Sequence, residues 1–289
     1  MSWGGILGAE KLPFHRDTAG SVTINLLVVA IALLLVACII GLILIGSGGL
    51  GPMGHKDKIA VVYLQGQMAA DRAPDDPTAA YSSDVVRSLR KATDDSDVKA
   101  IVLRVNSPGG TPVAAEEIID QINRTKAVKP VVVSMGDMAT SAAYYVSSSA
   151  DRIVADPDTF TGSIGVIWVF KNRTKYYSDE GVAYYVAKSG NFKDLGSDWR
   201  GLSDSEQKYV LSIINQSYDR FVDAVASGRN MSPDDVRRIA DGRVYTGTDA
   251  KALGLVDELG GLYDAVNIAA KLAHIDGQPD IVYMNEPKS

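Results

Sequence analysis

The sequence predicts an α/β domain with a parallel sheet covered by helices, preceded by one transmembrane helix. Apolar runs of strand length alternate with stretches of helical spacing between residues 59 and 155, the pattern of a parallel sheet with crossover helices. Leu26 to Ile45 is twenty residues without a charge or a proline. The last third of the chain carries helix-start signals and helical periodicity.

The apolar run comes first in the chain. At about 1.5 Å rise per residue, a helix of that length crosses a hydrocarbon core of about 30 Å. It is apolar on every face, unlike a helix that packs one stripe against a soluble core. A cleaved secretory signal is the alternative, with a shorter apolar region of about 7–15 residues. The small residues Gly46-Ser47-Gly48-Gly49 after the run keep that alternative open. Leu35-Val36-Ala37-Cys38 resembles a lipoprotein processing site, but the run continues seven residues beyond it, which fits a cysteine buried in lipid. Lys11 and Arg16 precede the run and Lys56 and Lys58 follow it, so charge leaves the orientation undecided. The division is therefore an N-terminal flank (1–25), an anchor (26–45), a glycine-rich linker (46–58) and a domain from 59 to 289.

That domain opens with the apolar run Ile59 to Leu64, a buried strand. Gln65 to Ser83 is polar, contains Pro74 and Pro77, and reads as a mobile loop. Asp84 to Thr93 is helical, with Val85, Val86 and Leu89 on one side. Ala100 to Val105 is a strand, and Ala114 to Thr125 a helix with Ile118, Ile119 and Ile122 as its stripe. A strand at Val131–Met135, a helix at Ser141–Ser149 and a strand at Arg152–Ala155 follow. Ala183 to Ala187 reads as a further strand. Ser203 and Glu206 have capping-box spacing and open a long helix to about Ser227, with Gly228 fitting its end. Ser232-Pro233 starts another helix, and Ala265 to Ala273 is helical in spacing.

Composition narrows the function. Hydrophobic residues make up 46%, enough for a sizeable core. The net charge is −6, and beyond residue 58 there are 25 basic and 32 acidic residues. A nucleic-acid partner, which calls for a basic excess or stripe, is therefore not expected. The single cysteine, Cys38, excludes an intrachain disulfide and a cysteine zinc site.

Three places carry chemistry. Asn106-Ser107-Pro108-Gly109-Gly110 lies between a strand and a helix. Two glycines there let N–H groups point outward together, which suits a developing oxyanion; an ordinary turn is the alternative. Ser141, in Ala139-Thr140-Ser141-Ala142-Ala143-Tyr144, follows a second strand and opens a helix among small residues. A strand–turn–helix serine exposes its hydroxyl as a nucleophile, whereas serine is also a favoured N-cap. A nucleophilic serine needs a base. None of His15, His55 and His274 is well placed by sequence to serve as that base. Lysine serves as a base when desolvation favours its neutral form. Lys193, between Phe192 and Trp199, is the candidate, and a solvated loop lysine is the alternative.

Six landmarks together resemble the signal peptide peptidase A family of serine peptidases. They are Asn106–Gly110, Ala139–Tyr145, Thr161-Gly162-Ser163-Ile164-Gly165-Val166, Lys188-Ser189-Gly190 with Lys193-Asp194, Asp241–Gly247 and Ala250–Asp257. The likeness runs from Lys58 to about Ala273 and matches the short, single-repeat form. It implies a Clp protease/crotonase-like fold, with residues 59–289 as a serine peptidase domain. It further implies Ser141 as nucleophile, Lys193 as general base, Ser163 orienting the lysine, and the N–H groups of Gly110 and Ala142 as the oxyanion hole. No metal and no cofactor are implied. The substrates would be apolar peptides, including cleaved signal peptides. The serine and lysine would come from neighbouring subunits of a homo-oligomeric ring. The chain would meet the bilayer through residues 26–45, with its catalytic domain on the outer face of the cytoplasmic membrane. Two departures stand out: Ala142-Ala143 where the family often has Gly-Gly, and Ser197-Asp198 where many members have Ser-Pro. Acyl-CoA chemistry is a rival for this fold, but no basic cluster offers itself to the CoA phosphates. A peptide-binding scaffold without catalysis is a second rival, against which the trio Ser141, Ser163 and Lys193 speaks.

Overall fold

A computed structural model describes residues 18–48, 57–71 and 78–286. The chain forms two compact units, Met1–His55 and Lys56–Ser289. In the first, helix α1 (Thr18–Gly48) runs for 31 residues. Its described side chains, residues 27–42, are leucine, isoleucine, valine, alanine, cysteine and glycine, and the large ones are exposed. Among the described residues no helix is long and apolar enough to cross a membrane. The expected span at 26–45 extends beyond the residues whose side chains are described, and the flank 1–17 and most of the linker lie outside the described residues.

The second unit is a three-layer α/β domain. Strand β1 (Lys58–Gln65) leads through the short β2 (Met68–Ala69) and β3 (Ala80–Tyr81) into α2 (Ser82–Asp94). Then come β4 (Val98–Ser107), α3 (Pro112–Lys126), β5 (Val131–Thr140), α4 (Ala142–Ser148), β6 (Arg152–Ala155) and β7 (Phe160–Gly162). The remainder comprises α5 (Thr174–Asp179), α6 (Asp204–Arg229), α7 (Pro233–Ile239), β8 (Val244–Thr246), α8 (Gly247–Ala252), β9 (Glu258–Leu259), α9 (Leu262–Leu272) and β10 (Asp280–Tyr283).

The main sheet has the order β10-β1-β4-β5-β6-β9, every neighbouring pair parallel. Val61 lies beside Val102 and Leu103 beside Val133. Past the end of the β5–β6 pairing, β7 takes over beside β5 at Met138 to Thr140, and β8 adds an antiparallel edge to β7. The period-two alternation of strands explains the two cores. Ala60, Val62, Leu64, Ile101, Leu103, Val131 and Val133 face one way, toward α2, α3, α4 and α6. Ile59, Val61, Ala100, Val102, Val132 and Val154 face the other, toward Ala265, Val266 and Ala269 of α9. Strands buried on both faces read as unbroken apolar runs, which is why β1, β4 and β5 stand out in the sequence.

Three expectations need correction. The segment Gln65–Ser83 carries the parallel pair β2 and β3, with residues 72–77 outside the described residues. Ala183–Ala187 is not a strand: these residues are exposed and pair with no sheet, and a strand-like run without a ladder partner has no regular structure to adopt. Gly228 does not end α6. The helix continues to Arg229 and ends at Asn230, whose φ is 53°, in the left-handed conformation that asparagine tolerates. The capping box at Ser203 and Glu206 is present as read.

Gly228 is needed for packing instead. A Cβ there would lie 1.9 Å from the Ser148 carbonyl oxygen at the end of α4. By helix propensity alone Gly→Ala stabilises by about 1 kcal/mol, but overpacking costs about 1–3 kcal/mol. Gly228→Ala is therefore expected to lower the urea midpoint of the protein; a raised midpoint would show that α6 and α4 are not in this contact.

Candidate active site

The site forms where β4 and β5 end. The last residue of β5, Thr140, pairs with Gly162 of β7, and the chain then turns sharply into α4. Ser141 makes the turn with φ 54° and ψ −126°. A backbone of this kind costs on the order of 1–3 kcal/mol at a residue with a side chain. The surroundings hold it: the Ser141 N–H donates to the Gly162 carbonyl at 2.9 Å, and the Tyr145 N–H donates to the Ser141 carbonyl at 2.9 Å. Ser141 occupies the N-cap position of α4, yet its hydroxyl makes no cap hydrogen bond. The N-cap alternative therefore does not account for this serine. Its side chain faces a cavity of about 600 Å³.

Small residues let the neighbouring loop approach this turn. Gly109 has φ 100°, and a Cβ on it would lie 2.8 Å from the Ser141 Cβ and 2.9 Å from the Ala142 nitrogen. At Gly110 a Cβ would lie 2.0 Å from the Met68 carbonyl oxygen. Gly110 and Ala142 both line the cavity with Ser141. Among the described residues, the N–H groups of Gly110 and Ala142 have no hydrogen-bond partner. Ala142 and Ala143 are regular helix, so the alanines that replace the family's usual glycines sit on a backbone that accepts a side chain.

Ser163 lines the same cavity, with φ 50° and its N–H donating to the Arg243 carbonyl at 2.8 Å. Gly162 before it lies under the Tyr245 ring, where a Cβ would come within 2.6 Å of Cδ2. Helix α6 lines the cavity with the apolar groups of Ile214, Tyr218 and Phe221 and with the polar Asn215 and Ser217, and Val166 and Ile167 come from the chain after β7. The Tyr145 and Phe221 rings stack with centroids 4.7 Å apart, and the Tyr145 hydroxyl donates to the Glu116 carboxylate. Burial, with that carboxylate adding to it, pushes the Tyr145 hydroxyl well above the usual phenol range.

Lys193 is not in this cavity. It is exposed, in a segment that leaves the sheet after Ser163 and returns at α6. Phe192 packs on Tyr209 at 5.2 Å and Trp199 on Tyr184 at 5.0 Å, so neither ring encloses the lysine within one chain. The residue beside it is firmly held. Asp194 accepts from Lys188 at 2.7 Å and from Arg200 at 2.6 Å, and Arg200 donates to Glu206 at 2.6 Å. Glu206 in turn caps the Ser203 N–H at 2.8 Å. The structure thus brings Ser141, Ser163, Gly110 and Ala142 together and leaves Lys193 at the surface, tethered to the start of α6.

The sequence reading missed Met68, Thr140 and the α6 wall. The wall had a signal in the helical spacing of Ile214, Tyr218 and Phe221. Met68 had none, because a two-residue strand has no periodicity.

Matches to known proteins agree with this geometry. The model of the Clp protease family matches residues 71–155, and that of peptidase family S49 matches residues 123–276. Over 266 residues the chain is 35% identical to a putative protease of Methanocaldococcus jannaschii, covering 90% of this chain and 84% of that one. It is 40% identical over 225 residues to Protease 4 of Haemophilus influenzae, covering 75% of this chain but only 35% of that protein. Against the chloroplastic serine protease SPPA of Arabidopsis thaliana it is 33% identical over 229 residues, covering 78% of this chain and 34% of that one. The chain therefore spans about a third of the length of the latter two.

Sheet, turn and matches together define an α/β domain of the Clp protease/crotonase type. The chain belongs to peptidase family S49.

The Asp194–Arg200–Glu206 cluster has a pH signature. Arg200, then Lys188, hold Asp194 well below the usual carboxylate range. Arg200 and the Ser203 N–H pull Glu206 down to about 2 from an ordinary 4.5. Carboxylates depressed on folding stabilise the fold above their unfolded pKa and lose that contribution as pH falls through the folded one. Trp199 fluorescence is expected to hold steady down to about pH 4.5 and change between about 4.5 and 2. Arg200→Ala should move the change to higher pH; an unchanged acid profile would contradict the cluster's role.

Proposed function

We propose that the protein is a membrane-anchored serine endopeptidase that cleaves apolar peptides such as cleaved signal peptides, with Ser141 as nucleophile and Lys193 as general base. The observation that carries this is the Ser141 turn: a strained serine whose hydroxyl makes no cap hydrogen bond, beside two N–H groups without a partner among the described residues, in a cavity that Ile214, Tyr218 and Phe221 also line. The Lys193 amine takes the Ser141 hydroxyl proton as the oxygen attacks the peptide carbonyl carbon. The resulting oxyanion accepts hydrogen bonds from the Gly110 and Ala142 N–H groups. The C–N bond then breaks, and the lysine ammonium returns its proton to the leaving amine. Water attacks the acyl-enzyme with the same lysine as base, which frees the acid product and Ser141. Ser163, in the same cavity, accepts a hydrogen bond from the lysine amine and orients it. The chemistry calls for no metal or cofactor.

Lys193 reaches this cavity from a neighbouring subunit in the same reading. Its exposure supports that, as do the consecutive Ile167, Trp168 and Val169 of the same segment, which are 86%, 48% and 74% exposed, since contiguous exposed apolar surface marks an interaction site. The uncharged, proline-free run Leu26–Ile45 in the sequence supports an anchor at residues 26–45. The proposed location is the cytoplasmic membrane, with the domain on its outer face.

Ser141→Ala and Lys193→Ala are each expected to lower cleavage of an apolar peptide by roughly 10³-fold or more. Co-assembly of the two inactive chains in equal amounts should restore about a quarter of the activity, the share of sites with an intact serine beside an intact neighbouring lysine. No recovery in mixed oligomers would mean that serine and lysine do not meet across subunits.

A further inference from the structure

The donor at Gly110 works only if its peptide plane is fixed, and two hydrogen bonds to Met68 fix it. The carbonyl of Gly109 accepts from the Met68 N–H at 2.7 Å. A trans peptide points its carbonyl and N–H in opposite directions, so this bond turns the Gly110 N–H away from Met68. One residue on, the Thr111 N–H donates to the Met68 carbonyl at 3.0 Å. Met68 thus bridges both sides of Gly110 with its backbone, and a Cβ at Gly110 would prevent it.

The preceding peptide is tied at both ends by side chains. The Gly109 N–H donates to the Ser107 hydroxyl oxygen at 3.1 Å, and the Thr140 hydroxyl donates to the Pro108 carbonyl at 3.1 Å. Ser107 is fully buried and Thr140 is 6% exposed, so water does not readily replace either bond. Thr140 is also the residue immediately before Ser141. Its backbone pairs with Gly162, whose carbonyl holds the Ser141 N–H. One residue therefore fixes the nucleophile through its backbone and the oxyanion loop through its side chain.

We infer that Thr140 is a positioning residue whose hydroxyl sets the Pro108–Gly109–Gly110 loop at the correct distance and angle from Ser141. The inference rests on the serine-peptidase reading. Binding of the ground-state peptide relies on the apolar wall of α6, which Thr140 does not touch in this scheme. The oxyanion exists only in the transition state and the intermediate. Loss of the Thr140 hydroxyl should therefore appear in kcat and not in KM.

The test compares Thr140→Val, which keeps the shape, and Thr140→Ser, which keeps the hydroxyl, in the full-length protein, with Ser141→Ala as control. The substrate is a fluorogenic apolar peptide, and the second probe is an aldehyde of the same sequence, whose adduct carries an oxyanion. The valine variant should lose about tenfold in kcat, less than the roughly 10²–10³ for removing an oxyanion donor outright. KM should stay within about twofold, and aldehyde affinity should fall in parallel with kcat. The serine variant should recover most of both. Equal kcat in Thr140→Val and the unaltered protein would overturn the inference, as would a loss confined to KM or a loss that serine does not rescue. Should Ser141→Ala still cut, the peptidase reading itself fails; a dead Ser141→Ala beside a fully active Thr140→Val fails this inference alone.

Discussion

Everything at this site depends on one close approach, that of the Gly109 backbone to the Ser141 turn. The two strands that end there, β4 and β5, are neighbours in the sheet, and Ser107 of one is paired with Ala139 of the other. Their loops must pass within van der Waals distance, and a side chain at Gly109 would strike the Ser141 Cβ and the Ala142 nitrogen. Glycine there lets the Gly110 and Ala142 N–H groups and the Ser141 hydroxyl converge on one cavity. The strain at Ser141 persists because its neighbours fix it from both sides.

The rest of the domain reads as support for that approach. The parallel sheet sets the strand ends side by side, and the two cores on its faces stop the strands from shifting. Helix α6 supplies the apolar wall and packs its Gly228 directly on the end of α4. At its other end the same helix anchors the segment that carries Lys193, through Glu206, Arg200 and Asp194. One element thus connects the substrate wall of a chain to the lysine that, in the proposed oligomer, serves the next.

Much of this was legible in the sequence, for physical reasons that differ by element. The strands β1, β4 and β5 are buried on both faces and so appear as continuous apolar runs. The helix α6 declared its start through Ser203 and Glu206, whose side chains do what their spacing predicts. Ser141 was legible as a strand-to-helix serine, but nucleophile and N-cap share the same local sequence, and only the backbone angle and the uncommitted hydroxyl separate them. Gly228 was misread because helix ends and close helix contacts both call for glycine. The segment from Val166 to Arg200 was least legible. Its apolar residues look like core or strand, yet most of them are exposed and none pairs with a sheet. Lys193 was found through resemblance, its own surroundings being those of an ordinary loop lysine.

The central claim is that Ser141 is a nucleophile activated by Lys193. A fluorophosphonate, which reacts only with an activated serine hydroxyl, tests it most directly when the modified protein is digested and mapped by mass spectrometry. The account predicts a single adduct on Ser141, formed far more slowly in Lys193→Ala. An adduct on another serine, or equal labelling of Ser141 with and without Lys193, would contradict it.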